Sequence, residues 1–484
     1  MDAVNSLGAL SLLPPVLAIG LALWTRQVFV SLMLGILAGY VILAGGNPLA
    51  GLLGAVDATV SVFADGGNTR IILFTLVVGA LIALIQANGG VAGFVEAVLG
   101  RLERSSAKAD SRGQRVRVEL LALLTGLFLF IESNISILTV GTLYRPLTDR
   151  LGVPREKLAY IADSGSAPSN VLVPFNAWGA YLAGLLALQG VENGFGVVLG
   201  SVVFNFYALA VVLGVILVVV TGRDFGPMRT AEARGTLLRE GAMPMMDESL
   251  AGIEPKPGKP RRALNMIIPI LLLVALVPTG LVLTGEGGGW LERLQSGSGS
   301  RSVLYATVFA TLAALILSKA QGILGLRRGF DIAMKGAAGM LPLAILMMLA
   351  FAIGALCREM ETGAYVAGVA EPFLSPALLP AIIFVVGSFI AFSTGTSWGT
   401  FAILVPIAIP LASAVGSPLP IVMAAAIGGG VFGDHSSPIS DTSIISSMAS
   451  GSDHIDHVRT QLPYALTAAG VAVVGYLLLG AATS

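Results

Sequence analysis

The chain has 484 residues, of which 55% are hydrophobic and 12% are charged, and its formal net charge is zero. A water-soluble domain of this length cannot cover so much apolar surface, and the balanced charge gives no basis for binding nucleic acid. The single cysteine, Cys357, excludes an intrachain disulfide and argues against a thiolate metal cluster. The composition therefore predicts an all-α polytopic membrane protein in contact with a lipid bilayer.

Apolar segments of about 17–25 residues, the length that crosses a hydrocarbon layer of about 30 Å, recur along the chain. The first follows an aspartate and no basic residue, so we expect a retained helix and not a cleaved signal peptide. We predict about ten crossings, half of them in each half of the chain. They lie at 8–25, 27–45, 70–88, 158–189 and 195–221, and at 263–285, 302–318, 339–357, 418–450 and 461–482.

Two further apolar segments, 118–150 and 378–414, are too long for one crossing and too short for two. Each is interrupted near its middle by polar residues, ESN at 132–134 and TGTS at 394–397. We interpret both as re-entrant helical hairpins that enter and leave the membrane on the same side. Non-helical backbone at that depth is tolerated only where it lines a cavity or is buried in protein.

The crossing after each hairpin has a polar interruption. ADSGSAPSN occupies 162–170 within 158–189, and FGDHSSPISD occupies 432–441 within 418–450. Both follow the order Asp, small polar residues, Pro, then Asn or Asp, and proline cannot donate to the helical hydrogen-bond ladder. The pattern predicts one discontinuous helix in each half.

The two halves also resemble each other in sequence. LTDRLGVP at 147–154 aligns with LASAVGSP at 411–418, near the end of each predicted hairpin. Because each half contains an odd number of crossings, the second copy must be inverted relative to the first. We therefore predict a first inverted repeat at 1–222, a cytoplasmic linker at 223–262 and a second inverted repeat at 263–484, each repeat holding scaffold helices, a hairpin and a discontinuous helix.

With the N-terminus outside, most of the 28 basic residues fall in loops on the cytoplasmic side. This places both termini outside and predicts a multi-pass protein of the bacterial cytoplasmic (inner) membrane. Inverted repeats with discontinuous helices at the midplane are typical of secondary transporters. The sequence contains no Walker-type phosphate-binding motif that would indicate ATP hydrolysis by the chain itself. We predict a transporter and not an enzyme.

Four carboxylates fall near the predicted midplane without a Lys or Arg beside them: Glu132, Asp163, Asp434 and Asp441. An ionised carboxylate in hydrocarbon is costly, so each must be protonated, bound to a cation or exposed to water. Hydrogen bonding to a broken helix is the open alternative for any single one. As a set they indicate groups that hold either H⁺ or Na⁺. We predict that Asp434 and Asp441 share these ions, with Glu132 and Asp163 as the opposing wall.

Oxygen-bearing side chains that suit a hard cation surround these carboxylates in both interruptions and both hairpin tips. The predicted ligands are Ser133, Asn134, Ser166, Asn170, Thr396, Ser397, Thr400, Ser437, Ser440 and Thr442. Half-helix ends and unwound carbonyls complete such sites in transporters. We expect no cofactor beyond Na⁺ as the transported or coupling ion.

All three histidines lie between 435 and 457. His435, beside the candidate ion site, is the candidate for pH modulation, because histidine titrates near neutrality. We expect His454 and His457 to lie in a cytoplasmic loop away from the break, which disfavours the alternative of a zinc-dependent intramembrane enzyme. Trp178 and Trp398, close to the breaks, are candidates for the wall of an organic substrate site, with packing as their ordinary role.

TGTSWGTFAILVPIAIPLA at 394–412 and GGGVFGDHSSPISDTSIISS at 428–447 resemble the NhaC-type Na⁺/H⁺ antiporters of the ion transporter superfamily. DHIDHVRTQLPYA at 453–465 and LPPVLAIGLALWTRQVFVSLMLG at 13–35 are similar too. The resemblance implies a scaffold and a transport domain, a homodimer and an elevator-type movement. It also places the ion site at the Asp434 and Asp441 block and at the two hairpin tips.

Relatives within this resemblance also exchange organic anions such as malate and lactate, and Na⁺-coupled carboxylate carriers have Ser-Asn-Thr at their hairpin tips. The second tip here has Trp398 where that pattern has Asn. Our leading hypothesis is therefore Na⁺/H⁺ exchange by alternating access. The alternative is a Na⁺- or H⁺-coupled carrier of a small organic solute, namely an amino acid, a carboxylate or an amine.

Overall fold

A computed structural model describes residues 7–25, 27–94, 96–97, 111–130, 133–244, 260–290, 293, 297–362, 365, 368–369 and 375–483. Within these ranges the regular structure is helical, apart from one isolated β-bridge between Pro244 and Asp453. Seven of the described helices are long and apolar enough to cross a membrane, or up to eight if the bent pair at 155–188 is one span. The predicted all-helical, multi-pass class is confirmed.

The described residues of the first half and the linker form twelve α-helices, which are α1 Leu13–Thr25, α2 Val28–Leu43, α3 Pro48–Ser61, α4 Gly66–Ala87, α5 Ser111–Phe128, α6 Ser133–Arg150, α7 Arg155–Ser164, α8 Ala167–Leu172, α9 Ala177–Leu188, α10 Gly194–Ser201, α11 Phe206–Thr221 and α12 Gly226–Ala233. Those of the second half form nine, which are α13 Leu264–Thr284, α14 Gly299–Ala320, α15 Leu326–Gly339, α16 Leu341–Glu359, α17 Leu379–Thr394, α18 Ser397–Val415, α19 Leu419–Ser436, α20 Asp441–Ser450 and α21 His454–Thr483.

One group of helices packs around α4, which contacts α14, α15 and α16, while α13 packs on α14. The close contact of α4 with α15 depends on two small residues. A Cβ added to Gly79 would lie 2.5 Å from the carbonyl oxygen of Gly336, and a Cβ on Gly336 would collide with the carbonyl of Gly79. Small residues let membrane helices approach this closely, so van der Waals contact replaces the missing hydrophobic effect.

Both predicted hairpin segments contain two helices that contact each other. In the first, α5 packs on α6, and in the second, α17 is joined to α18 through Gly395 and Thr396. Helices that follow each pair contact the opposite half of the chain. α20 of the second half packs on α6 and α7 of the first, and α9 of the first half packs on α18 of the second. This exchange brings the two interrupted helices and the two hairpins into one contact network. Their re-entrant course and inverted symmetry stay predictions.

Buried apolar side chains form two clusters. The smaller one draws on α5, α6, α7, α11, α12, α20 and α21 and includes Ala162, whereas the larger one holds α4, the α13–α16 group, α17 and α18 and includes Phe432. Asp163 follows the first of these residues and Asp434 lies two positions beyond the second. The candidate carboxylates therefore lie at the boundary between two hydrophobic cores.

Two predicted crossings, 195–221 and 158–189, contain interruptions that the sequence did not predict. The segment 195–221 is not one helix, because α10 and a 3₁₀ turn at Val202–Phe204 end before Asn205, whose side chain accepts a hydrogen bond from the Ala208 N–H and begins α11. The crossing 158–189 is interrupted twice, at the predicted position between α7 and α8 and again before α9, where the axis bends by 43°.

The bend before α9 has a local cause. The Asn176 side chain accepts hydrogen bonds from the backbone N–H groups of Trp178 and Gly179, at 3.0 and 3.2 Å, and so caps the new helix. Its amide nitrogen donates to the carbonyl oxygens of Phe130 and Asn170. Single asparagines in apolar surroundings thus begin both unpredicted helices, because Asn satisfies free N–H groups at a helix start.

The longer of the two described parts of the linker, 223–244, contacts α21 and the turn that precedes it. Arg239 donates to Asp456 at 2.9 Å, and the Met243 N–H donates to the Asp453 carboxylate at 2.9 Å. Burial by itself raises the pKa of Asp453, but hydrogen bonds from the backbone N–H groups of Met243, Asp456 and Ile455 and the charge of Arg239 outweigh it and hold the pKa below its ordinary value. The linker therefore packs against the turn between α20 and α21.

The two glycines that end α17 and α18 give a matched test of the hairpin tip. Gly395 and Gly416 both have left-handed φ, 71° and 72°, but a Cβ on Gly395 would lie 2.6 Å from the carbonyl oxygen of Ile439, whereas a Cβ on Gly416 would meet nothing within 4 Å. We expect Gly416→Ala to lower the free energy of unfolding by the backbone strain alone, roughly 1–2 kcal/mol. Gly395→Ala should lower it further, because the added Cβ also collides with Ile439. Thermal denaturation in detergent measures both, and an equal or reversed loss would contradict the packing of the tip on Ile439.

Candidate functional site

Asp434 lies in the last turn of α19, where the helix ends at Ser436. The chain leaves the helical conformation over residues 437–440, which include Pro438, and becomes helical again at Asp441. The structure thus places the break within the predicted FGDHSSPISD segment, with Asp434 on the helical side of it. A carboxylate in this position is held next to unwound backbone and to the negative end of a helix dipole.

The Asp434 carboxylate is 2% exposed and collects hydroxyl donors from two elements. Ser397, at the start of α18, donates to Oδ2 at 2.7 Å, and Ser440, across the break, donates to Oδ1 at 2.6 Å. Thr442 Oγ1 lies 3.4 Å from Oδ1 and 3.2 Å from the Asp434 carbonyl oxygen. The second hairpin tip and both sides of the break therefore converge on one carboxylate.

Asp163 lies in the last turn of α7 and is fully buried. Its Oδ2 accepts a hydrogen bond from Gln461 Nε2 at 2.7 Å and a longer one from Ser443 Oγ at 3.4 Å. Its Oδ1 is buried and has no hydrogen-bond partner in the part of the chain that the structure describes. This oxygen is free to bind an ion or to carry a proton.

Gln461 and His435 join the two carboxylates into one network. Gln461 Nε2 donates to the carbonyl oxygen of His435 as well as to Asp163. The His435 ring lies 2.9 Å from Ser164 Oγ through Nε2 and 2.9 Å from Tyr207 Oη through Nδ1. His435 is adjacent to Asp434 in sequence, and Ser164 is adjacent to Asp163. Gln461 and His435 therefore both link the surroundings of the two carboxylates.

The expectation that His454 and His457 lie away from the break is wrong. His454 Nε2 is 2.7 Å from the carbonyl oxygen of Pro438, and the buried His457 contacts Ser447 at 2.9 Å and Gln461 at 2.8 Å. The turn at 451–453, with its left-handed Gly451, folds the start of α21 back onto α20 and the break. Among the described residues, no group of three or more His, Cys, Asp and Glu side chains has an arrangement that would hold a metal.

The buried carboxylates have no permanent positive partner in the part of the chain that the structure describes. Within the described ranges, no Lys or Arg side chain forms an ion pair with Asp163 or Asp434. The nearest ionisable nitrogen of the described residues is His457 Nε2, 3.9 Å from Asp163 Oδ2, and it already faces Gln461. A buried ionised carboxylate is costly unless it is compensated, and among the described residues only uncharged hydrogen-bond donors reach these two.

Asp441 differs from the other two aspartates. It is exposed, it occupies the first turn of α20, and its Oδ1 accepts a hydrogen bond at 3.0 Å from the N–H of the next residue, Thr442. A carboxylate at a helix start is stabilised by the positive end of the helix dipole. The predicted pair of Asp434 and Asp441 is thus divided between the buried network and the surface beside it.

The first hairpin tip is described only in part, and Glu132 lies outside the described residues. Ser133 and Asn170 contact each other at 2.6 Å, with the amide oxygen facing Ser133 and the amide nitrogen facing the Phe130 carbonyl. Asn134 Oδ1 is buried and has no partner within the described ranges. The tip therefore binds to the α7–α8 segment through Asn170 and also presents one free amide oxygen.

Several predicted ligands bond to backbone in the structure. Each donates its hydroxyl to a carbonyl oxygen near a break or tip: Ser166 to Asp163 at 2.7 Å, Ser437 to Phe392 at 2.6 Å and Thr400 to Thr396 at 2.8 Å. The Thr396 side chain caps α18 at the Gly399 N–H. These residues fix the unwound segments, whereas Ser397, Ser440 and Thr442 reach a carboxylate.

The two tryptophans contact each other next to Ser397. Their ring centroids are 5.0 Å apart, and Tyr181 lies 5.2 Å from Trp398 and donates its hydroxyl to the Trp398 carbonyl at 3.1 Å. This aromatic cluster joins α9 to α18. Sequence reasoning missed Tyr181, Tyr207 and Gln461. The one sequence signal for Gln461 is an uncharged polar residue at the start of the predicted crossing 461–482.

The profile of the Na⁺/H⁺ antiporter family matches residues 187–481. An uncharacterized protein of Haemophilus influenzae is 33% identical over 492 aligned positions, which cover 97% of this chain and 90% of that protein. The malate-2H⁺/Na⁺-lactate antiporter of Bacillus subtilis is 31% identical over 28% of this chain and 30% of its own length. The arginine/ornithine antiporter ArcD of Halobacterium salinarum is 32% identical over 22% of each chain.

Two solved transporters have a similar fold. The YdaH transporter of Alcanivorax borkumensis superposes with a TM-score of 0.59 over 97% of both chains, at 16% identity. MtrF of Neisseria gonorrhoeae, from a class of antimetabolite efflux pumps, superposes with a TM-score of 0.56 over 88% of this chain and 84% of its own, at 14% identity. The profile match over more than half of the chain, together with the H. influenzae relative, establishes that this membrane protein belongs to the Na⁺/H⁺ antiporter family of secondary transporters.

Proposed function

We propose that this protein exchanges Na⁺ for H⁺ by alternating access, and that Asp163 and Asp434 are the carboxylates that the two ions share. The observation that carries the proposal is the burial of both carboxylates in one hydrogen-bonded network with no Lys or Arg ion pair within the described residues. A proton or a monovalent cation neutralises such a group, and the two compete because each removes the need for the other.

The oxygen donors around the carboxylates suit Na⁺. Ser397 and Ser440 now donate to Asp434, and a hydroxyl that rotates presents a lone pair instead, so the same side chains serve the protonated and the Na⁺-bound states. The unpartnered Oδ1 of Asp163 adds a carboxylate oxygen. Unwound carbonyls and helix C-termini complete such a shell in transporters of discontinuous helices.

Sequence alone assigns the ions to Asp434 and Asp441, with Asp163 opposite. Burial supports a different division of roles, in which Asp163 joins Asp434 at the shared site and the exposed Asp441 attracts cations at its entrance. Na⁺ remains the transported or coupling ion in both assignments. His435, fixed by Ser164 and Tyr207, stays the candidate for pH modulation of the site.

We propose that alternating access is achieved by an elevator-type movement. The two hairpins and the interrupted helices would carry the site past the α4 and α13–α16 group, in a homodimer of the bacterial cytoplasmic membrane with both termini outside. The position of both carboxylates between two hydrophobic cores supports a sliding boundary there. The exchange of α9 and α20 between the halves supports the two inverted repeats.

A second candidate function is coupled transport of a small organic solute. The observation that favours it is the cluster of Trp178, Trp398 and Tyr181 next to Ser397, which would form one wall of a solute site. Antiporters for malate and lactate and for arginine and ornithine are among the relatives, and they match 28% and 22% of the chain. In this case the same carboxylates would bind only the coupling ion.

Proteoliposomes with an imposed pH gradient separate the two functions. We expect Na⁺ alone to collapse the gradient in the native protein, and Asp163→Asn and Asp434→Asn to slow the collapse at least about tenfold, equivalent to about 1.4 kcal/mol. Asp57→Asn, the same change at an exposed position on α3, serves as the matched control and should retain exchange. A response that begins only after lactate, malate or arginine is added would establish solute coupling and contradict simple exchange.

Gln461 gives a second test through the link between the two carboxylates. We expect Gln461→Leu to destabilise the protein by about 1–3 kcal/mol, because Asp163 and the His435 carbonyl lose their donor, and to raise the Na⁺ concentration needed for half-maximal exchange. Gln321→Leu is the control, since Gln321 also donates to a buried side chain, Asn265, at 2.5 Å but in a different part of the fold. If both variants shift the Na⁺ dependence equally, the effect is general loosening and not the network.

A further inference from the structure

A charged cavity of about 910 Å³ lies where α11 ends, between α5, α7 and α12. Its lining includes five basic and three acidic side chains, a net charge of plus two. The acidic ones are held by the two basic residues deepest in the cavity. Lys157, 2% exposed, lies 2.9 Å from Asp224 and 3.0 Å from Glu232, and Arg115 pairs with Glu119 at 2.9 Å.

Three arginines are left at the mouth of this cavity, namely Arg112, Arg223 and Arg229, and all three are exposed. Among the described residues, Arg112 donates to the carbonyl oxygen of Thr221, at 3.0 Å, and forms no ion pair. The guanidinium groups of Arg223 and Arg229 form no ion pair with any described residue. Guanidinium groups grouped in this way bind phosphate through paired N–H donors.

An apolar groove of about 540 Å³ adjoins the cavity and shares Thr221 and Arg223 with it. Leucines of α11 line it opposite Ala468 and Val471 of α21. Thr221 is the last residue of α11, followed by the left-handed Gly222 and by charged residues. The arginines therefore lie where the apolar span ends, at the edge of the hydrocarbon layer, and the groove runs from there along the span.

We propose that an anionic phospholipid binds here, with its phosphate on Arg112, Arg223 and Arg229 and an acyl chain in the groove between α11 and α21. Both halves of the site are needed for this assignment. A free phosphate has no apolar part that would bind in the groove. A zwitterionic lipid carries an ammonium group, which the net positive charge of the cavity disfavours. Basic pockets at the ends of membrane helices are suited to anionic headgroups. The assignment is independent of which ion or solute is transported.

The test uses the purified full-length protein in detergent, with its thermal unfolding measured against added lipid. We expect phosphatidylglycerol to raise the melting temperature and phosphatidylcholine at the same concentration to leave it unchanged. The triple variant R112Q/R223Q/R229Q should lose the shift. The triple variant R327Q/R328Q/K335Q, which removes the same charge from exposed positions on α15, should keep it.

Gly214 tests the groove separately from the arginines. It lines the groove, and a Cβ there would meet nothing within 4 Å, so Gly214→Leu extends a side chain into the groove from an unobstructed position. We expect this variant to retain phosphatidylglycerol at least about tenfold more weakly in native mass spectrometry. Inorganic phosphate and glycerol phosphate should give no thermal shift.

Three results would overturn the assignment. A shift by inorganic phosphate as large as that by phosphatidylglycerol would make the cavity a site for soluble anions. An equal shift by phosphatidylcholine would reduce the effect to general solvation by lipid. Loss of the shift in the α15 triple variant as well would reduce it to net charge.

Discussion

Two buried carboxylates, Asp163 and Asp434, which form no ion pair with an arginine or lysine in the described part of the chain, set the main constraint on this structure. Hydrogen bonds from Ser397, Ser440 and Gln461 stabilise the charged forms of Asp434 and Asp163. Each bond to a charged group contributes about 1.5–3 kcal/mol, which is less than the cost of removing an ion from water. In the proposed function a proton or a cation supplies the rest, and exchange of one for the other is the transport step.

The interruptions of the helices provide the polar groups of such a site. Asp163 and Asp434 each lie in the last turn of a helix, where the dipole is negative, and the starts of α18 and α20 bring hydroxyl donors and positive dipole ends to Asp434. Continuous helices would bury these backbone groups in their own hydrogen bonds. The breaks thus supply both the charge pattern and the free oxygens, at the contact between two hydrophobic cores. In the proposed mechanism, movement of one core past the other exposes the site to either side.

Much of this site could be predicted from the residues. The serine, proline and aspartate pattern around Pro438 predicted the break, and the polar tip at 394–397 predicted Ser397 as a neighbour of Asp434, because polar groups in an apolar segment must meet each other. The same reasoning treated Asp434 and Asp441 as equals. It could not predict that residue 441 begins a helix and lies at the surface, because that depends on the residue at which the helix begins again after the break.

Other features could not be predicted because they depend on tertiary contacts or on single residues. Hydropathy assigned His457 to a loop, whereas the tight turn at Gly451 returns it to the core beside Gln461. Asn176 and Asn205 begin new helices within segments that are apolar enough to count as single crossings.

The most direct measurement of the central claim is proton release on Na⁺ binding by the purified protein in weakly buffered detergent solution. The account predicts that NaCl, but not choline chloride, releases protons and that Asp434→Asn abolishes the release. Na⁺ binding without proton release would contradict it.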